Sequence, residues 1–246
     1  MHSFSDKRFT KLCSRNTRDW IKYNQTHMSR IFPEGIRVLS YNFNPIVGWS
    51  AGCQLIALNF QTSDFDLRLN DGLFRTNGNC GYLLKPQNML QDIYIESFSE
   101  PISLEVHVLS ASRLPKPRGR KRGECVDPYV QVTLWDVNPQ DGKEIKKSHY
   151  TDVKKNNGFF PIFNPESSVF RFTVQNQNVA MLQFSVWDFD NTKSDEFIGG
   201  ASIPVSCIRT GFRSVQLFDA NNTLSGAFDF ANLLVEVEME RTQAEI

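Results

Sequence analysis

Ile102-Ser103-Leu104-Glu105-Val106-His107-Val108 is the stretch on which the reading of the fold turns. Its apolar residues fall on every second position, the spacing at which side chains leave a strand on alternate faces, so it predicts a half-buried β-strand. Seven further strand candidates follow: Tyr129 to Trp135, Ile145 to Thr151, Val169 to Val174, Met181 to Trp187, Phe197 to Ile203, Phe212 to Phe218 and Leu233 to Met239. Turn signals separate them, and helical periodicity is scarce. Eight short strands of this kind predict an antiparallel sandwich of two sheets.

Upstream of Pro86 the pattern is different. Asp6 to Gln25 sets Phe9, Leu12, Trp20, Ile21 and Tyr23 among lysines and arginines and opens on a candidate Asp6 cap, which predicts one amphipathic helix. Short apolar pieces at Met28 to Phe32 and Leu55 to Phe60 read as buried strands. Strand and helix in alternation predict a parallel α/β unit. About three strands fit before Pro86, too few to close an eight-stranded barrel, so the unit reads as incomplete. The chain thus divides into an α/β unit at residues 1–90, a linker at 91–101 and a sandwich at 102–241. Internal repeats and low-complexity tracts are absent.

Composition narrows the function classes. With 246 residues, 40% of them hydrophobic, the chain is long enough for two cores. Lys+Arg and Asp+Glu balance at 27 each, so no net field draws it to nucleic acid. A basic patch interleaved with aromatic platforms, as single-stranded nucleic acid requires, is also lacking. The five cysteines, Cys13, Cys53, Cys80, Cys125 and Cys207, are scattered without metal-ligand spacing, which suits a reducing compartment and predicts mostly core thiols. The first residues do not read as a signal peptide. The longest apolar run, around Leu55 to Leu58, falls far short of the ~18 residues of a spanning helix. A cytoplasmic protein that visits membranes peripherally is expected.

Met28-Ser29-Arg30-Ile31-Phe32-Pro33-Glu34-Gly35 leads into Ser40-Tyr41-Asn42-Phe43-Asn44-Pro45, then Trp49, Gly52-Cys53-Gln54 and Ala57-Leu58-Asn59-Phe60-Gln61-Thr62. With Gly72, Phe74, Asn77-Gly78, Cys80-Gly81-Tyr82 and Leu84-Lys85-Pro86, this ordered series resembles the Y half of phosphoinositide-specific phospholipase C. The resemblance implies half of a TIM barrel, with the other, X half lying outside this sequence. It also implies that Ser3, Arg30 and Phe32 grip the inositol phosphates. A guanidinium suits that task because its planar fork of donors matches phosphate. Phe32 departs from the family's usual tyrosine, keeping the apolar face and losing the hydroxyl. Ile36 stands where relatives carry an apolar residue on a ridge that dips into the bilayer, although an ordinary buried isoleucine reads equally well.

Val126-Asp127-Pro128-Tyr129-Val130, followed by Val186-Trp187-Asp188-Phe189-Asp190 and Phe197-Ile198-Gly199, resembles a C2 domain. That resemblance implies a Ca2+ site at Asp127, Asp188, Asp190 and Glu196, since calcium prefers several carboxylate and carbonyl oxygens. Two departures weaken it. The first loop reads Arg118-Gly119-Arg120-Lys121-Arg122-Gly123 where an aspartate is usual, and Phe160 replaces the asparagine before Pro161. Arg118, Arg120, Lys121 and Arg122 offer another route to an anionic leaflet, each contributing ~1 kcal/mol near the surface; a solvated loop or a nuclear localisation signal are the alternatives.

The family's acid and base histidines and its calcium carboxylates lie on the X half, and His2, His27, His107 and His149 sit in none of its motifs. The implied function is calcium-dependent hydrolysis of phosphatidylinositol 4,5-bisphosphate to diacylglycerol and inositol trisphosphate, with this chain alone expected to be inactive. Its partners would be a phosphoinositide membrane lipid and the X half, and not nucleic acid. The alternative is a non-catalytic phospholipase C-like scaffold that binds inositides or membranes.

Overall fold

The computed structural model describes residues 1–90, 100–117, 125–224 and 226–241. In the N-terminal unit β1 (His2–Ser5), β2 (Ser29–Phe32) and β3 (Leu55–Ile56) form a parallel sheet in the order β1-β2-β3. Ser3 lies level with Arg30, and Arg30 with Leu55. Because side chains alternate across a strand, Ser3, Ser5, Arg30, Phe32 and Leu55 share one face, and Phe4, Ile31 and Ile56 share the other. The second face is the covered one, with Ile31 buried in a cluster that includes Phe9, Ile21 and Ile46. Among the described residues the sheet stays open at three strands and closes no barrel.

The expected single helix over 6–25 is two: α1 (Asp6–Cys13) and α2 (Thr17–Thr26). Ser14, Asn16 and Thr17 would be poor interior residues, because their side chains compete for backbone groups. Asn16 instead caps α2, accepting the Asp19 N–H at 3.3 Å. The Asp6 cap also gives way. Asp6 is buried; its carboxylate accepts the Glu34 N–H at 2.8 Å and pairs with Arg37, while Ser5 occupies the N-cap position of α1 without a side-chain bond. The strand expected over 55–60 stops after Ile56 because the Asn59 N–H is taken at 2.6 Å by the Asn42 carboxamide oxygen.

Downstream lie α3 (Ile46–Ser50) and α4 (Phe65–Arg75), then eight strands: β4 (Ile102–Ser112), β5 (Pro128–Val137), β6 (Glu144–Tyr150), β7 (Val169–Val174), β8 (Met181–Asp188), β9 (Glu196–Pro204), β10 (Gly211–Gln216) and β11 (Asn232–Arg241). They form two antiparallel sheets, β10-β11-β4-β7 and β6-β5-β8-β9. Leu104, Val106, Val130, Phe172, Leu182, Phe184 and Val235 fill the space between them. These are the eight strands the alternation predicts.

The two units share a core. Trp135, Val137, Val179 and Met181 of the sandwich belong to the same cluster as Phe9, Ile31 and Leu69. Helix α4 lies against β9 so closely that a Cβ on Gly72 would stand 2.2 Å from the Ser202 carbonyl oxygen. Beside it the Arg68 guanidinium donates to the carbonyls of Asp219 (3.0 Å) and Ala220 (2.6 Å) and lies over the Phe197 ring. Arg75 donates to the Asn222 carbonyl at 3.0 Å, and Gln183 to the Phe65 carbonyl at 3.2 Å. Burial brings Arg68 down to about 10, which leaves it charged at neutral pH.

One expectation about side chains changes. Only Cys13 and Cys53 are core thiols, raised by burial to about 11 and about 12; Cys80 and Cys125 are exposed on loops, and Cys207 is exposed at the end of a short 3-10 helix. Among the described residues no helix is long and apolar enough to cross a membrane.

Candidate functional site

The open face of the parallel sheet brings together the residues that the sequence singles out. Ser3 and Arg30 are neighbours across β1 and β2, and Phe32 stands two residues further along the same face. Arg30 and Phe32 are half-buried, with the guanidinium carbon 5.1 Å from the centroid of the Phe32 ring. A phenylalanine therefore serves this face as a platform that steers a cation. No carboxylate pairs with Arg30 among the described residues, so its donors remain available for an anion.

The loop after β2 forms the rim of this face at the C-terminal end of the strands. It is held by a network in which Asp6, Arg37 and Asp64, outside the motif residues used above, join Glu34, Tyr41, Asn42, Asn59 and Thr62 within them. Asp6 takes the Glu34 N–H and pairs with Arg37; Arg37 donates to the Asn42 carbonyl at 2.7 Å and lies over the Tyr41 ring. The Asn42 carboxamide reaches the carbonyls of Asn59 and Thr62, both at 3.2 Å, and Asp64, which also caps α4 through the Leu67 N–H. A buried polar residue with all its partners supplied is rigid. The loop so fixed carries Ile36, Val38 and Leu39 outward, at 66%, 88% and 83% exposure. Ile36 is thus a surface residue rather than a core one. At the opposite end of the strands, Gln54 accepts the Ser29 N–H and donates to the carbonyls of Asn24 and His27, tying β3 to α2 and β2.

The histidines stand elsewhere. His27 stacks on Tyr23, His2 contacts the Tyr23 hydroxyl on the side of the sheet that faces the helices, and His107 and His149 belong to the sandwich.

In the sandwich the carboxylates proposed for calcium occupy one end but do not form a cluster. Among the described residues no group of three or more His, Cys, Asp or Glu side chains is placed to hold a metal ion. Asp127 pairs with the Lys155 ammonium at 2.9 Å and accepts the Asn156 N–H at 2.7 Å. Asp188 accepts the Asp127 N–H at 2.7 Å, and Asp190 accepts from Thr192 and Lys193. Asp195, next to Glu196, takes the Tyr129 hydroxyl at 2.7 Å; burial and this carboxylate raise the Tyr129 pKa. A lysine where a cation would sit is a poor fit to calcium in this arrangement. Arg118, Arg120, Lys121 and Arg122 lie outside the described residues.

This architecture, an open parallel α/β unit docked on an antiparallel sandwich, corresponds unit by unit to two known domain families. Residues 1–88 match the family model "Phosphatidylinositol-specific phospholipase C, Y domain", and residues 102–220 match "C2 domain". The chain is homologous to the phosphoinositide-specific phospholipases C, of which it carries these two domains.

Among its relatives is 1-phosphatidylinositol 4,5-bisphosphate phosphodiesterase delta-4 of Xenopus laevis, 35% identical over 91% of this chain and 29% of that protein. Inactive phospholipase C-like protein 2 of Mus musculus is 37% identical over 87% of this chain and 19% of that protein. The crystal structure of PLC21 from S. officinalis superposes with a TM-score of 0.77 at 29% identity, covering 99% of this chain and 30% of that one. The chain spans less than a third of the length of these proteins.

Proposed function

We propose that this chain is an inositide- and membrane-binding module of the phospholipase C type, which holds a phosphorylated inositol headgroup on its open sheet face without cleaving it alone. One observation carries this reading: Arg30, free of any described carboxylate, shares a face with Ser3 and Phe32 from which every histidine is absent among the described residues. Attack by the inositol 2-hydroxyl on the phosphodiester needs a base for that proton, an acid for the leaving oxygen and a cation for the charge on phosphorus. The face offers a grip for phosphate and, among the described residues, no histidine to carry a proton. In this reading residues 1–90 hold the headgroup, 91–101 join the units, and 102–241 form the membrane module of a cytoplasmic, peripherally bound protein. Ile36, with Val38 and Leu39, enters the bilayer, assisted by Arg118, Arg120, Lys121 and Arg122. Calcium at Asp127, Asp188, Asp190 and Glu196 requires Lys155 to yield. The relative named as an inactive phospholipase C-like protein is consistent with such a role.

A second reading rests on the relatives named as phosphatidylinositol 4,5-bisphosphate phosphodiesterases. Joined to or assembled with an X half, the same face would serve calcium-dependent release of diacylglycerol and inositol trisphosphate. Vesicles containing labelled phosphatidylinositol 4,5-bisphosphate distinguish the two, assayed for binding and hydrolysis with this chain alone and with a separately expressed X half, with and without calcium. Binding without turnover in both mixtures supports the module; turnover only with the X half supports the enzyme. Hydrolysis by the chain alone would refute the assignment of acid and base to other groups.

A further inference from the structure

A cavity at the N-terminal end of β1 lies on the opposite face of the sheet from Arg30. His2, Phe4, Trp20 and Tyr23 form a closed cycle of rings, with centroids 6.4 Å apart for His2 and Phe4, 5.3 Å for Phe4 and Trp20, 5.8 Å for Trp20 and Tyr23, and 5.9 Å for Tyr23 and His2. A hydrogen bond between His2 Nδ1 and the Tyr23 hydroxyl closes the cycle. These four rings and Asp19 line a cavity of about 360 Å³. Four aromatic walls and one carboxylate are an unusual lining for a surface recess.

We propose that this recess binds a quaternary ammonium group, the trimethylated head of a choline-like molecule. Such a cation spreads its charge over methyl groups, makes no strong hydrogen bonds with water and gains from the negative faces of several rings at once. Phe4 and Trp20 meet at 86° and Trp20 and Tyr23 at 76°, so these three rings stand as adjoining walls of the recess, with one face of Tyr23 taken by His27 and His2 tilted at the edge. A cation among them lies within the ~6 Å over which a ring face attracts it. Asp19 is exposed at the recess and supplies the counter-charge. Phe4 already draws one cation, the Arg8 guanidinium at 5.9 Å, although Arg8 is not part of the lining. The same head group occurs on a free choline-type metabolite and on a phosphatidylcholine surface. The free molecule is favoured by position: the exposed Ile36, Val38 and Leu39 follow the far end of β2, so a bilayer that meets them lies away from His2.

Titration calorimetry of the full chain tests this with choline and with its neutral carbon isostere, 3,3-dimethylbutanol. Saturable one-to-one choline binding is expected, at least tenfold tighter than the isostere, and weakened about threefold or more by Asp19→Asn. Trp20→Leu is expected to abolish it; should that variant fail to fold, Asp19→Asn and the isostere decide. Phosphatidylcholine vesicles distinguish the sources, since release of bound chain by free choline would assign the lipid head, and its absence the free ligand. Absence of choline binding, or equal affinity for the isostere, overturns the site. A trimethyl-lysine peptide that binds tighter than choline overturns the small-molecule occupant.

Discussion

In the proposed headgroup site, Arg30 is the residue on which binding would most depend. A hydrogen bond to a charged group contributes ~1.5–3 kcal/mol, so Arg30→Ala is expected to weaken binding to phosphatidylinositol 4,5-bisphosphate vesicles about 10- to 100-fold. Vesicle sedimentation would show it, and an unchanged affinity would remove Arg30 from the site. Phe32 is legible only in part: the sequence shows a ring without a hydroxyl, whereas its support of the guanidinium at 5.1 Å emerges from strand geometry. Lys155 is the converse case. Nothing around it in the sequence marks it, yet it sits at the Asp127 carboxylate. An exposed ion pair is weak, so Lys155→Ala is expected to raise calcium affinity only about two- to fivefold. Calorimetry with calcium alone checks this, and no gain would mean that the lysine is a bystander.

At the scale of elements, the eight sandwich strands were readable because their alternation is the direct imprint of a sheet with two unlike faces. Helix α4 was not. Strand β8 carries Gln183 and Ser185 on what reads as its solvent side, yet both are buried, and on that side Phe65 at the start of α4 accepts from Gln183 and lies against the Trp187 ring. The period of a strand says which residues point together and nothing about which second unit will cover them. Gly72→Ala tests the junction, since its Cβ would meet a backbone carbonyl that cannot swing aside. Faster hydrogen exchange in α4 and β9, with β4 and β11 unaffected, is the expected outcome.

The start of α4 also has a pH signature: burial, with Asp64 and Glu144 nearby, raises Asp66 to about 6. A carboxyl raised in the folded state holds a proton that the unfolded chain gives up near pH 4. Its contribution to stability is therefore complete below about pH 4 and lost as pH rises through about 6. Thermal melts should show this decline between pH 4 and 7 in the parent and a flatter profile in Asp66→Asn; identical profiles would mean that Asp66 is not the group responsible.

For the whole molecule, balanced charge leaves the proposed membrane attachment to local contacts. Burying an exposed aliphatic side chain contributes ~1.5–3 kcal/mol when complete, so replacing Ile36, Val38 and Leu39 together by aspartate is expected to reduce partitioning onto vesicles at least about tenfold. The melting temperature should hardly move, because all three already face water; a large fall would instead place them in a contact that stabilises the fold.

The shared core has a further consequence, for synthesis on the ribosome. Phe9, Ile31 and Leu69 are made early, but the cluster they join is finished by Val179 and Met181. At ~5–20 residues per second, the interval between the end of the first unit and the emergence of β8 is on the order of ten seconds. Throughout that interval the nascent first unit presents the apolar surface that the sandwich will later take. Chaperone occupancy should therefore peak on chains stalled between residues 90 and 180 and fall once β8 and β9 have left the tunnel.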